Sequence, residues 1–365
     1  MNDSDMYPES GRAWPGRSEM ERYEKGPADS PRQEGRYSGP PASVADATLA
    51  GNSYAWNVNN NGNVNNNNKN NNNRVRSVRA FTASSSNPSL FYQDADGNVE
   101  LTDLFEAYYD CRKNKRRTVN ALKFELDYER NLIELCDEIN NGTYQISRSI
   151  CFIVNKPVKR EIFAADFRDR IVHHYLIHRI NPLFEDLFIE DSYSCREGKG
   201  SHYGIRRLYT NIWKCSKGYR RDAYILKLDI EGFFMHIDKR LLSERLTRFL
   251  EEQYFGKDKA VVISLCRQII ANDPTKGCIM KGSRHNWDGL PRNKSLFGVG
   301  KDKGLPIGNL TSQMFANFYL DPLDKFVTQT LGIRHYGRYV DDFVLVHQDK
   351  RLLQEAIPKI AHFLE

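Results

Sequence analysis

The sequence predicts an α+β fold, with an antiparallel sheet that carries acidic residues and helices that back it. Three observations lead there. Ala223 to Asp229 (AYILKLD) is a short buried-strand pattern whose last residue is a carboxylate. Ile333 to Tyr339 and Phe343 to His347 are two apolar runs flanking Asp341-Asp342, the pattern of a β-hairpin with both acids at its tip. Several other segments repeat apolar residues at helical spacing.

Residues 1 to about 50 are polar, without sustained period, and are expected to be disordered. From Asn52 to Asn73, fourteen of 22 residues are Asn, a poor helix and strand former, so this stretch reads as loop or disorder. Arg74 to Phe81 alternates as one strand would, yet a strand with no partner in its own segment does not stand alone. Order is expected from near Asn87. Leu101 to Tyr109 and Ala121 to Ile139 read as helices, the second through Leu122, Leu126, Leu132, Ile133, Leu135 and Ile139, with Gly142 ending it. Tyr144 to Val154 has strand character, broken by Lys156-Pro157. Ile171 to Phe188 is a helix containing Pro182. Beyond Asp229, Ile230-Glu231-Gly232-Phe233-Phe234 leads into an amphipathic helix over Ile237 to Leu250. Asp273 to Lys303, rich in Gly, Lys and Asn, reads as an insertion. It precedes a turn-rich loop, Gly304-Leu305-Pro306-Ile307-Gly308. The next helix, with Thr311 as its cap, carries Met314, Phe315 and Phe318 on one face.

A chain of 365 residues, 40% of them hydrophobic, supports one large or two moderate domains and excludes a mini-protein. No window approaches 18 consecutive apolar residues, and the first residues lack the basic-then-apolar order of a signal peptide, so a cytoplasmic protein without a membrane partner is expected. The seven cysteines are widely spaced with no CxxC pair and read as reduced structural thiols. His174 and His178 stand four apart without an HExxH pattern, so a zinc site is not expected. Net charge is only +6, but its distribution is uneven. From Ser194 to Arg221 there are eight Lys or Arg against one acid, interleaved with Tyr203, Tyr209, Trp213 and Tyr219. That mixture suits a nucleic-acid groove as well as it suits a solvated basic face.

A carboxylate ending one strand and two more in a hairpin turn bring three acids to one sheet edge. Such a cluster repels itself unless divalent cations neutralise it, and oxygen-only ligands favour Mg²⁺. Two such ions about 4 Å apart support nucleotidyl transfer. An Asp-Asp pair alone is a common solvated turn; Tyr339-Val340-Asp341-Asp342-Phe343 between apolar runs, with Asp229 upstream, is much rarer.

From about Ser147 to its end the sequence resembles the reverse transcriptases. Lys156 to Ile162 with Asp166 to Val172 resembles the fingers block of group II intron enzymes. Ser192 to Gly200 resembles the next block, Leu226 to Phe234 motif A, and Tyr339 to Asp342 the YxDD box. Most of the family carry Gln before the Gly of the 304–308 loop; this chain has Ile307. With Ser312-Gln313 that form resembles reverse transcriptases of diversity-generating retroelements, which copy a template-repeat RNA and misincorporate opposite adenines. Loss of an amide beneath the templating base offers a physical reason.

The resemblance implies a right-hand palm with helix-rich fingers. Residues 1–86 would be the disordered Asn-rich segment, 87–220 the N-terminal helices and fingers, and 221–365 the palm. Asp229, Asp341 and Asp342 would be the catalytic acids and, with the Ile230 carbonyl, ligands of two Mg²⁺ ions. Phe234 would be the aromatic gate against a 2′-hydroxyl; Lys156 and Arg160 would grip the triphosphate, and Ile307, Gly308 and Gln313 would shape the nucleotide pocket. Arg168, Arg170, Arg196 and Lys199 would contact RNA. Partners would be template RNA and primer, deoxynucleoside triphosphates and a small basic accessory protein, in a bacterial or phage-encoded setting. Because Asn codons begin with two adenines, the Asn-rich segment is open to reading as a template repeat translated in frame, as a disordered tail or as an adhesion segment. The chain ends 23 residues after Asp342, where the family continues into a helical thumb, so a thumbless polypeptide is expected. Two alternatives stay open: a retron, group II intron or phage-defence enzyme, and a catalytically silent RNA-binding remnant.

Overall fold

The computed structural model describes residues 97–113, 118–156 and 158–365, together with the backbone of Ala55–Val58 (β1) and Val64–Asn67 (β2). β1 and β2 pair antiparallel, Ala55 opposite Asn67 and Val58 opposite Val64. They lie inside the segment expected to be loop or disorder. Trp56, Val58 and Val64 supply the aromatic and β-branched residues that pleated backbone favours. The rest of that segment, the Arg74 to Phe81 alternation and the first 50 residues lie outside the described residues.

The second unit, residues 89–365, is built around one helix. α1 (Leu101–Lys113) leads to α2 (Val119–Glu125) and α3 (Tyr128–Asn140), so the single helix expected over 121–139 is two. Asp127, at φ −144° and ψ 53°, leaves helical geometry. The break stacks Tyr128 on Tyr108 at 5.1 Å and leaves Leu126, expected on the apolar face, 88% exposed. β3 (Ile150–Val154) pairs antiparallel with β4 (Arg160–Ala164) and parallel with β6 (Ile279–Met280). β3 starts later than the expected Tyr144, whose hydroxyl instead donates to Asp169 at 2.8 Å.

α4 (Phe167–Leu187) is capped by Asp166 and keeps Pro182 in its interior. Ile171, Val172, Tyr175, Leu176, Ile180 and Phe184 are all buried along it. Phe184 stacks against Phe188, Phe249 and Phe318 at 5.3–6.0 Å, which joins α4 to α7 (Lys239–Gln253) and α9 (Leu310–Lys325). α5 (Ser201–Cys215), the short α6 (Phe233–His236), α8 (Lys259–Ala271) and the amphipathic α10 (Lys350–Leu364) complete the α-helices among the described residues.

The expected acid-bearing sheet has the order β5-β8-β7, all antiparallel, from β5 (Tyr224–Asp229), β7 (His335–Tyr339) and β8 (Asp342–His347). Side chains alternate, so Leu226, Leu228, Phe343, Leu345, Tyr336 and Arg338 face the core while Lys227, Asp229, Asp342 and Gly337 share the other face. Among the described residues β5 is an edge strand, which corrects its reading as a buried strand: Ile225 is 54% exposed.

The cap of α9 is also corrected. Asn309 holds that position, while Thr311 lies inside the first turn, fully buried, sharing a 3.2 Å hydrogen bond with His173 Nδ1. Burial, then the neighbouring His174 and Arg170, depress the His173 pKa from 6.5 to about 3. The neutral ring therefore favours folding above pH 6.5, and this contribution is lost as pH falls toward 3, because only the unfolded chain binds the proton. In urea melts between pH 7 and 4, His173→Gln is expected to reduce the slope of stability with pH by up to about 1.4 kcal/mol per unit.

Candidate active site

The hairpin turn between β7 and β8 is two residues, Val340 and Asp341, so Asp342 is the first residue of β8 rather than part of the tip. In the neighbouring ladder Asp229 pairs directly with Asp342. Two carboxylates thus stand on adjacent strands, with Cα atoms about 5 Å apart. Asp341 completes the group: burial raises its pKa, and the charges of Asp229 and Asp342 raise it further. Arg160, at the start of β4, acts in the opposite sense on Asp341.

Val340 adopts φ 59°, a conformation rare for a β-branched residue. Arg338 supports it, donating from Nη1 to the Val340 carbonyl at 2.9 Å. The same guanidinium donates from Nε and Nη2 to Asp324 Oδ1 and Oδ2, both at 2.7 Å, and from Nη1 to Asn317 Oδ1 at 3.2 Å. Neither partner of the ion pair has solvent-exposed side-chain surface. Burial opposes the charge of Arg338, but Asp324 outweighs it and holds the pKa above its ordinary value. Tyr336 adds a hydroxyl donor to Asp324 at 2.7 Å.

The Ser192 to Gly200 block is threaded into this network. Arg338 N donates to Asp191 O, Tyr193 N donates to Arg338 O, and Asn317 Nδ2 donates to Ser194 O at 2.7 Å. Gly337 admits the Tyr193 ring: a Cβ there would lie 2.5 Å from the tyrosine oxygen.

The 304–308 loop is clamped between β4 and the residues after Asp229. Phe163 N donates to Ile307 O at 2.9 Å, and Leu305 N donates to Phe234 O at 2.8 Å. Gly308, at φ 121°, passes Ile162 so closely that a Cβ would meet its Cγ2 at 2.7 Å. Phe234 and Ile307 are both half-buried against one small apolar cluster. Gln313 is exposed in the first turn of α9, and its Oε1 accepts from Cys195 Sγ at 3.0 Å. The loop that holds Ile307 and Gly308 is therefore bonded both to β4, which begins with Arg160, and to Phe234, five residues after Asp229.

Other expected residues are placed elsewhere or engaged. Lys156 is exposed after β3, and no described ion pair ties it to the acids. Arg168 pairs with Glu138 and lies over the Tyr144 ring, and Arg170 donates to Ala165 O. Arg196 is 8% exposed and bonds Glu185 with the carbonyls of Ile189 and Ser192. Lys199 pairs with Glu190. These four cations stabilise the chain itself in this structure. The Ile230 carbonyl accepts from Phe233 N at 3.3 Å.

Lys227 was not foreseen. Its Nζ contacts Asp342 Oδ1 at 2.6 Å, and its pKa is raised by Asp342, then by Asp229 and Asp341. The signal was present, because two residues before Asp229 on a strand is the same face. Among the described residues no group of three or more His, Cys, Asp or Glu side chains is gathered closely enough to hold a metal ion. The donor chemistry nevertheless fits a hard divalent cation: three carboxylates whose mutual repulsion is visible at Asp341 and met at Asp342 only by a lysine.

Residues 155–365 match the family described as reverse transcriptase (RNA-dependent DNA polymerase). The chain belongs to the reverse transcriptase family. It is 23% identical to Protein YkfC of Escherichia coli over 256 residues, 61% of this chain and 60% of that protein. Over 169 residues it is 25% identical to an uncharacterized 91 kDa protein in the cob intron of Schizosaccharomyces pombe, 46% of this chain and 17% of that one. This reverse transcriptase thus spans less than two thirds of either relative. Apo telomerase from Candida tropicalis, truncated from its C-terminal domain, superposes with a TM-score of 0.41 at 14% identity, covering 60% of this chain and 47% of that one.

Removing one partner of the Arg338–Asp324 pair strands a buried charge. Asp324→Ala is expected to cost about 3–5 kcal/mol in denaturant melts, and the paired Asp324→Leu/Arg338→Met change markedly less. Equal costs would mean that the pair is not what holds the turn.

Proposed function

We propose that the protein is an RNA-directed DNA polymerase in which Asp229, Asp341 and Asp342 are the catalytic acids. The observation that carries this is the Asp229–Asp342 pairing across β5 and β8, with Asp341 coupled to both and Arg160 opposing them. Asp229, Asp341 and Asp342, with the Ile230 carbonyl, are the groups that would hold two Mg²⁺ ions. Those ions would lower the pKa of the primer 3′-hydroxyl and neutralise charge on the leaving pyrophosphate. The chain's own part is positional. Arg160 faces the triphosphate, and Lys156, at the neighbouring strand end, closes on it. Phe234 places an aromatic edge where a ribose 2′-hydroxyl would sit. The hydroxyl attacks the α-phosphorus of a deoxynucleoside triphosphate, the new phosphodiester forms, and the bond to pyrophosphate breaks.

The finer reading is a diversity-generating retroelement enzyme that copies a template-repeat RNA with errors opposite adenines, to diversify a target-protein gene. What supports it is Ile307: an aliphatic side chain half-buried beside Phe234 cannot hydrogen-bond to a templating base. Under this reading template RNA, primer and a small basic accessory protein are partners in a bacterial cytoplasm. No described helix is long and apolar enough to cross a membrane. The relative within the cob intron favours, as second reading, an intron-type enzyme with ordinary fidelity.

Primer extension on an RNA template with Mg²⁺ tests the first level. Asp341→Asn is expected to lower the rate by 10³-fold or more, on the order of 4 kcal/mol of transition-state stabilisation. Extension surviving that change would sink the assignment. Sequencing the products tests the second: errors are expected at template adenines and are expected to fall in Ile307→Gln. Uniform errors insensitive to Ile307 would support the intron-type reading instead.

A further inference from the structure

The 273–303 segment has no role in the chemistry described so far, yet it is bonded to both sides of the nucleotide pocket. Its strand β6 extends the β3–β4 sheet, with Ile279 N donating to Ser149 O and Lys281 N to Cys151 O, each at 2.8 Å. Three of its other polar contacts converge on Glu161 of β4, a carboxylate only 1% exposed. Glu161 accepts from Trp287 Nε1 at 2.7 Å, from Ser295 Oγ at 2.9 Å and from Leu296 N at 2.8 Å. Among the described residues no cation is paired with it. A buried carboxylate held only by neutral donors is stable while all three donors stay in place, so it acts as a key for the segment's conformation.

Above that key lies a small core separate from the main one. Cys151, Phe163, Met235 and Leu296 form it, and Phe234, Ile307, Trp287 and Val299 rest against it. Asn293 Nδ2 also donates to Glu231 Oε1 at 3.0 Å, and Asn293 O sits 3.2 Å from where a Cβ of Gly232 would be. The backbone of Phe234 is fixed by Leu305, and its half-buried ring is held on one side by this cluster and on the other by the Phe233 ring and the main core.

We propose that residues 273–303 form the back wall of the nucleotide pocket and that Glu161 is a positioning residue. Glu161 locks Trp287 and Leu296, and the wall they complete holds the Phe234 ring and Ile307 where they select the incoming sugar and base. The inference rests on the pocket assignment of Phe234 and Ile307 above. Loosening the wall frees the ring without disturbing the acids, so the loss falls on nucleotide selection more than on turnover.

The test is single-nucleotide primer extension with the full chain, measuring KM, kcat and the ratio of deoxynucleotide to ribonucleotide efficiency. Trp287→Ala and Leu296→Ala are expected to raise KM and to lower that ratio by about five- to tenfold, with kcat for the deoxynucleotide changed less than about threefold. Trp287→Phe keeps a ring but loses the donor to Glu161, and Glu161→Gln keeps size; both serve as the milder variants should an alanine variant fail to fold, and are expected to give a smaller shift in the same direction. Wall variants with an unchanged ratio, alongside a Phe234→Ala control whose ratio falls, overturn the proposal alone. An unchanged ratio in Phe234→Ala overturns the pocket assignment and the proposal with it.

Discussion

The buried ion pair between Arg338 and Asp324 is the contact on which the geometry of the acids depends. Burying two charges is costly, and it is tolerated here because every strong donor of the guanidinium finds an oxygen: both carboxylate oxygens of Asp324, Asn317, Ser192 and the Val340 carbonyl. The last of these matters most. Val340 in a left-handed conformation is unfavourable on the order of 1–3 kcal/mol by itself, and a rigid acceptor site for its carbonyl offsets that cost. The strained turn then presents Asp341 beside Asp342 and opposite Asp229. An interaction in the core thus sets the direction of a side chain at the surface.

Around that centre the structure divides its labour by face. One face of the β5-β8-β7 sheet is apolar except for Arg338 and Tyr336, and both of these bond Asp324 of α9. The other gathers Asp229, Asp342 and Lys227. Strand alternation makes this separation automatic once the register is set. The clamp on the 304–308 loop then connects the two sheets, since one short loop bonds β4 through Ile307 and the motif A segment through Leu305. Electrostatics cross the same gap, from Arg160 to Asp341.

The acids were legible because they sit where period-2 patterns end, and a carboxylate terminating an apolar run is visible in one dimension. The loop was legible through its glycines, of which Gly308 answers to a close approach that no side chain permits. Less was visible where tertiary contacts override local pattern. The break at Asp127 serves a Tyr108–Tyr128 stack that no window of sequence contains. Thr311 looked like a cap, but its hydroxyl is drawn inward by His173, 138 residues away. Arg168, Arg170, Arg196 and Lys199 read as RNA contacts, while their partners within the chain, Glu138, Ala165, Glu185 and Glu190, are set by the fold. Glu161 gave no signal at all, because a buried acid held by neutral donors looks in sequence like any surface glutamate.

Among the described residues β5 carries the first acid on a strand with a neighbour on one side only, and Ile225 and Tyr224 extend along it in view of solvent. Unsatisfied backbone groups beside apolar side chains invite another strand, and so favour self-association. Lys227 stands in the middle of that row. Its side chain is largely exposed and its ammonium is held by Asp342, so a strand added here would have to accommodate that ion pair beside its own side chains. The lysine that balances the acids is therefore also a charged residue of the kind that blunts an open sheet margin, one side chain serving both the centre and the edge beside it.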